Sequence, residues 1–223
     1  MDRQIAAARA DPRLAERDDV LAMLIGARDE AGHGLTDADL RDELKTLIAA
    51  GHETTATAIA WACDLLAHRP EAAAAIRDGD AAYRSAAAKE ILRLRPVVPV
   101  VAGRVMLEPA ACGAFELPAG TTVLVDALNT HNDPELHPEP GEFRPQRFFA
   151  EGPPPYSYLP WGGGAHRCLG RALATQELEI ALEAILARFD LSPAGPPEKP
   201  VRRGVTLVPA QGATVRVRRR AGS

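Results

Sequence analysis

Apolar residues recur at Leu40, Leu44, Leu47, Ile48, Ile59, Ala62, Leu65 and Leu66 with helical period, and no proline interrupts them before Pro70. Thr36 and Asp39 stand at capping-box spacing before this stretch, and Leu35 and Leu40 can form the hydrophobic staple across it. The pattern predicts one helix over about 36–68, roughly 45–50 Å long. The preceding segment, rich in Ala, Arg and Asp, predicts one short helix near Val20–Ala27. A second helix is predicted over Ala81–Leu94, stopped by Pro96. The texture then changes to short β-branched runs between prolines and glycines. Val97–Val101, Arg104–Leu107 and Thr121–Val125 read as small strands and hairpins. Residues 129–160 hold eight prolines and little periodicity, which predicts a long irregular connection; such loops inside compact domains are usually functional. A last helix over Leu169–Phe189 follows three glycines, and a terminal hairpin is expected over Val205–Val217. The fold class expected is mainly α with a minor antiparallel β part.

Composition changes this picture little. With 46% apolar and 25% charged residues the chain is ordinary for a globular protein. A net charge of −4 offers no concentrated basic surface, so nucleic acid is not an expected partner. The crowded Arg216, Arg218, Arg219 and Arg220 read as a solvated end. Cys63, Cys112 and Cys168 share no close spacing, which suggests neither a disulfide framework nor a paired-cysteine zinc site. A reducing cytoplasm is the expected compartment. The opening Met1-Asp2-Arg3 has no apolar run behind it, and no apolar stretch reaches the ~20 residues that span a bilayer. A soluble chain with no membrane partner is therefore expected. His131 and His137 are expected at the surface of the proline-rich connection, and Cys63 and Cys112 as small buried apolar side chains.

Candidate chemistry gathers in three places. In Trp161-Gly162-Gly163-Gly164-Ala165-His166-Arg167-Cys168-Leu169-Gly170, three glycines are costly to order, so the backbone is expected to pass close to something bulky. Cys168 stands where the last helix begins, and free N–H groups with the helix dipole favour a thiolate there. Such a cysteine can be a nucleophile, a metal ligand or an inert helix-start residue. In the long helix, Ala49, Ala50 and Gly51 remove bulk, and the hydroxyls of Thr54 and Thr55 can bond back to the i−4 carbonyl and open the helix. A helix-packing glycine beside an exposed polar turn fits that segment equally well. Glu90 and Arg93 lie at i,i+3, which at a surface would contribute only about 0.2–0.5 kcal/mol.

Taken together, residues 50–55, 90–93, 143–148 and 161–170 resemble four motifs of the cytochrome P-450 family, in family order. The Trp161–Gly170 segment resembles the heme-binding loop of the soluble bacterial members, with Trp161 for the usual Phe and His166 for a frequent Arg. The resemblance implies a P-450 fold in its C-terminal portion, from the long helix to the last one. Residues 1–223 would then be a partial domain lacking the N-terminal half. It implies that Cys168 is the axial ligand to the iron of heme b (iron protoporphyrin IX), within a cofactor-binding set of Ala50, Gly51, Arg104, Trp161, Gly162, Gly164, His166, Cys168 and Gly170. His166 and Arg104 would face the heme propionates. Ala50-Gly51-His52-Glu53-Thr54-Thr55 is similar to the oxygen-activating segment, which implies that Glu53 relays protons and Thr54 holds the oxygen ligand. Glu90, Arg93 and Arg147 of Phe143-Arg144-Pro145-Gln146-Arg147-Phe148 match the family's structural triad, with Gln146 for the usual Glu.

The activity so implied is a heme-dependent monooxygenase inserting one oxygen atom from O2 into a small apolar substrate. Electrons would come from NAD(P)H through a ferredoxin-type donor, because no G-x-G-x-x-G fingerprint is present. An alternative is a truncated, inactive P-450 remnant or partner-binding fragment. A cysteine hydrolase using Cys168 and His166 is a third reading, for which a two-residue spacing makes the base geometry awkward.

Overall fold

The computed structural model describes residues 1–149 and 152–220, apart from the side chain of Ala102. They form two compact units, Met1–Glu53 and Thr54–Ser223, and the long helix α3 (Asp37–Ala67) contributes to both. Its start is built as the sequence predicts. The Thr36 N–H donates to the Asp39 carboxylate at 2.9 Å, and the Asp39 N–H donates to the Thr36 hydroxyl at 3.2 Å.

The first unit also holds α1 (Asp2–Arg9) and α2 (Val20–Gly26), the latter capped by Asp19, whose carboxylate accepts the Ala22 N–H. Ile5, Ala8, Ile25 and Leu40 are its buried core, with Leu35 and Leu44 packed against them. Helix α1 has no counterpart in the periodicity, because only Ile5 and Ala8 of its eight residues are buried. The apolar stripe of α3 is not covered throughout: Leu47 and Ile48 are exposed.

In the second unit, Ala58, Ala62, Leu65 and Leu66 of α3 pack with α4 (Pro70–Asp78), α5 (Ala81–Leu94) and α7 (Arg171–Arg188). Helix α7 buries Leu178, Leu182 and Leu186, one row at four-residue spacing. Pro70 does more than stop α3. It occupies the first turn of α4, where a missing N–H costs nothing, so one proline ends one helix and begins the next. Asp80 caps α5 by accepting the Tyr83 N–H at 2.8 Å.

The β part differs from expectation. Val97 is buried core rather than strand, and Val101 and Arg104 belong to one strand, β1 (Val100–Val105), bulged between them. It pairs with β4 (Thr122–Asp126), while β2 (Ala110–Cys112) and β3 (Phe115–Leu117) form a small hairpin between them in sequence. The expected terminal hairpin does not exist. Thr206–Pro209 (β7) pairs with Pro200–Arg203 (β6) around Gly204, whose φ of +58° suits the tight turn. Val215–Arg219 (β8) returns instead to Phe189–Pro193 (β5), directly after α7. The terminal arginines are therefore not a loose end: Arg218 and Arg220 pair with Asp190 and hold its carboxyl below the usual range. No described helix is long and apolar enough to cross a membrane.

Candidate functional site

Residues 131–149 have no regular period, and a buried carboxylate organises them. Glu90 and Arg93, both fully buried, face each other on α5 through two hydrogen bonds of 2.8 and 3.0 Å. Glu90 Oε1 also accepts from Arg147 Nε at 3.0 Å and from the Arg144 backbone N–H at 2.9 Å. The Arg93 guanidinium donates onward to the carbonyls of His131, Pro140 and Glu142, and Arg147 to that of Pro138. Two arginines, held by one carboxylate, thus satisfy the carbonyls of a segment that has no ladder of its own, and the carboxylate accepts its Arg144 N–H.

Against this network lie two histidines that the sequence placed at the surface. His131, on α6 (Ala127–Asn132), and His137 are both buried, because their polar atoms bond the backbone. His131 stacks on Tyr158 and meets His137 edge to face. His137 Nε2 donates to the Ser157 carbonyl at 2.8 Å, and the hydroxyl of the half-buried Tyr158 donates to the Lys89 carbonyl at 3.2 Å. Burial is the main cause that pushes His131 down to about 4 and His137 below its ordinary value. At His131 the unfolded chain binds a proton below about pH 6.5 and the folded one only near 4, so its contribution to stability is present above 6.5 and is lost as the pH falls toward 4; His137 acts in the same direction. For His131 it amounts to about 3 kcal/mol. Thermal melts between pH 7 and 4 should show this slope, reduced in His131→Gln; identical slopes would contradict it.

The cysteine segment follows at once. The Gly162 N–H donates to the Leu159 carbonyl at 3.1 Å, and the Cys168 N–H donates to the Trp161 carbonyl at 2.9 Å, closing a loop between them. Gly162 and Gly164 have φ of +66° and +65°, a region side chains avoid. Left-handed backbone is thus the local reason for these two glycines, whereas a Cβ on Gly163 or Gly164 would meet little. Only Gly162 is approached, by Val101 of β1 at 3.4 Å from the Cβ position, so the loop adjoins the strand that carries Arg104. Cys168 and His166 are exposed, as is Leu169 at 97%, and α7 begins just beyond, with Gly170 as its uncapped N-cap residue. Cys63 is half-buried, and burial raises its thiol pKa; Cys112 is exposed in the β2–β3 hairpin rather than buried as expected.

On α3, Ala50, Gly51 and Glu53 are exposed near the end of the part that belongs to the first unit. Thr54 opens the second unit half-buried, and the neighbouring Thr55 hydroxyl is buried with no hydrogen-bond partner among the described residues. Among the described residues no three His, Cys, Asp or Glu side chains gather as a metal cage. A heme iron would need no such cage, since the macrocycle would bring its own ligands and a single protein sulfur, that of Cys168, would hold it. An exposed soft sulfur beside an exposed leucine, at the end of a loop turned by left-handed glycines, fits such a group.

The cytochrome P450 family model matches residues 1–217. The chain belongs to the cytochrome P450 family. Cytochrome P450 137 of Mycobacterium tuberculosis is 43% identical over 219 residues, which cover 96% of this chain and 46% of that protein. Cytochrome P450 135B1 of Mycobacterium bovis is 43% identical over 226 residues, covering 96% of this chain and 48% of the relative. Among solved structures, the retinoic acid-bound cyanobacterial CYP120A1 superposes with a TM-score of 0.88 at 27% identity, over 98% of this chain and 54% of that one. The cytochrome P450 CYP102L1 superposes with a TM-score of 0.86 at 30% identity, over 98% and 54% of the two chains. The chain thus has part of the P450 fold and spans about half the length of the relatives it matches.

Proposed function

We propose that this chain carries the heme-thiolate centre of a monooxygenase that inserts one oxygen atom from O2 into a small apolar molecule. The observation that carries this reading is the exposed Cys168 sulfur, set between a loop closed onto the Trp161 carbonyl and the N-terminus of α7. Iron protoporphyrin IX, when bound, supplies the oxygen activation, and a thiolate ligand favours O–O cleavage.

The chain's own residues hold, orient and proton-feed that centre. Cys168 gives the sulfur, and Trp161, Gly162, Gly164 and Gly170 shape the loop around it. His166 and Arg104 offer donors to the propionates. Ala50 and Gly51 keep bulk off α3, Thr54 donates its hydroxyl hydrogen toward the oxygen site, and Glu53 passes protons to it. Glu90, Arg93 and Arg147 fix the connection that leads into the loop. Both units are read as parts of one P450 domain, working in the cytoplasm.

Electrons from NAD(P)H would arrive through a ferredoxin-type protein. Lys89, Arg167 and Arg171, with the single carboxylate Glu179, line a recess of about 420 Å3 beside Trp161 and Gly162, and this net basic lining suits an acidic donor. The substrate class draws support from the retinoic acid held by the cyanobacterial neighbour, a small and largely apolar molecule. In the heme-loaded enzyme, Thr54→Ala should keep heme binding but lower product formed per NAD(P)H consumed, with the deficit appearing as hydrogen peroxide. Undiminished coupling in that variant would remove Thr54 from the mechanism.

A further inference from the structure

Both ring nitrogens of His131 are used, and their partners fix which one carries the proton. Leu159 N–H, which can only donate, lies 2.8 Å from Nε2, so Nε2 accepts. The Arg93 carbonyl, which can only accept, lies 3.1 Å from Nδ1, so Nδ1 carries the hydrogen. Arg93 answers by donating Nη1–H to the His131 carbonyl at 2.7 Å, a reciprocal pair between α5 and α6. The Nε2 bond reaches Leu159, whose own carbonyl accepts the Gly162 N–H, one residue beyond the Trp161 whose carbonyl accepts the Cys168 N–H. One imidazole therefore stands between the buried ion-pair network and the first residues of the cysteine loop.

We propose that His131 is a positioning residue that ties the cysteine loop to α5, and that only its neutral Nδ1–H tautomer can do so. That the loop holds iron rests on the function proposed above; the tie itself does not. The ring is faced by the Arg93 guanidinium on its own carbonyl, by the His137 edge and by the Tyr158 face, with Glu90 and Arg147 behind Arg93. None of these offers a second acceptor at Nε2. A proton added there would set donor against the Leu159 donor and release the loop.

Two substitutions separate the two nitrogens. An asparagine amide can stand in for Nδ1 and leaves Leu159 without an acceptor; a glutamine amide reaches the Nε2 position and can accept from it. In the chain as it stands, without heme, nitrogen-15 spectra of the histidine rings at pH 7 should show His131 protonated at Nδ1 alone. Amide exchange at Leu159, Gly162 and Cys168 should accelerate about tenfold or more in His131→Asn, the range expected for a buried donor left unsatisfied. It should remain within about threefold of the parent in His131→Gln, which retains the acceptor. An Nε2–H tautomer would overturn the proposal. So would equal acceleration in the two variants, which makes His131 mere core filling, or unchanged exchange in both. If His131→Asn does not fold, the tautomer and the protection retained in His131→Gln still decide. Because every readout is heme-free, a failure of the heme assignment leaves this result standing, and the reverse also holds.

Discussion

Glu90→Ala is expected to destabilise the second unit by about 3–5 kcal/mol, the usual cost of stranding one partner of a buried ion pair. The size follows from what the carboxylate holds. It is fully buried, binds two Arg93 nitrogens and Arg147 Nε, and caps the Arg144 backbone N–H. Its loss leaves the Arg93 guanidinium charged at zero exposure, with only the carbonyls of the irregular segment to compensate. Arg93→Ala should cost a similar amount. The double replacement should cost much less than the sum, because the two residues act as one network. Chemical or thermal unfolding measures this directly. A variant that melts like the parent would show that the carbonyl anchors, rather than the charge pair, hold residues 131–147.

Cys168→Ser is expected to have the opposite profile. The side chain is exposed and belongs to neither core cluster of the described residues, so stability without heme should change by no more than about 0.5 kcal/mol. The heme-loaded protein should lose its thiolate signature completely, since a hydroxyl supplies no soft anionic sulfur to iron. Cys168→His should lose it too while still offering a nitrogen ligand. A large destabilisation without heme would show that Cys168 is structural, and a surviving thiolate band would move the ligand elsewhere.

These two sites also show where a sequence speaks and where it falls silent. The end of α5 and the start of α3 were legible because the signals are local: Pro96 stops the one, and Thr36 and Asp39 make their capping bonds within three residues at the other. The four motifs were legible through their resemblance to a family, and they bring Glu90, Arg93 and Arg147 together and put Cys168 at the head of α7. Strand partners were not legible. β-Branched runs mark strands, yet nothing in Val215–Arg219 says that its partner lies before Pro200–Arg203 rather than after it. Burial of His131 and His137 was hidden for a related reason. Their partners are the backbone groups of Arg93, Leu159 and Ser157, which any residue type would provide. Proline density suggested a loop at the surface, and the ion-pair network beneath it turned that loop inward. Pro70 marks an end and a start alike, because a proline stops one helix as plainly as it begins the next.

The reduced, carbon monoxide-bound absorption spectrum tests the central claim most directly. The sample is this chain substituted for the matching stretch of Mycobacterium tuberculosis cytochrome P450 137, loaded with iron protoporphyrin IX and compared with its Cys168→Ser counterpart. The account predicts a strongly red-shifted Soret band in the parent and none in the serine variant. Heme bound with an unshifted band, or a shifted band that survives without the Cys168 sulfur, would contradict it.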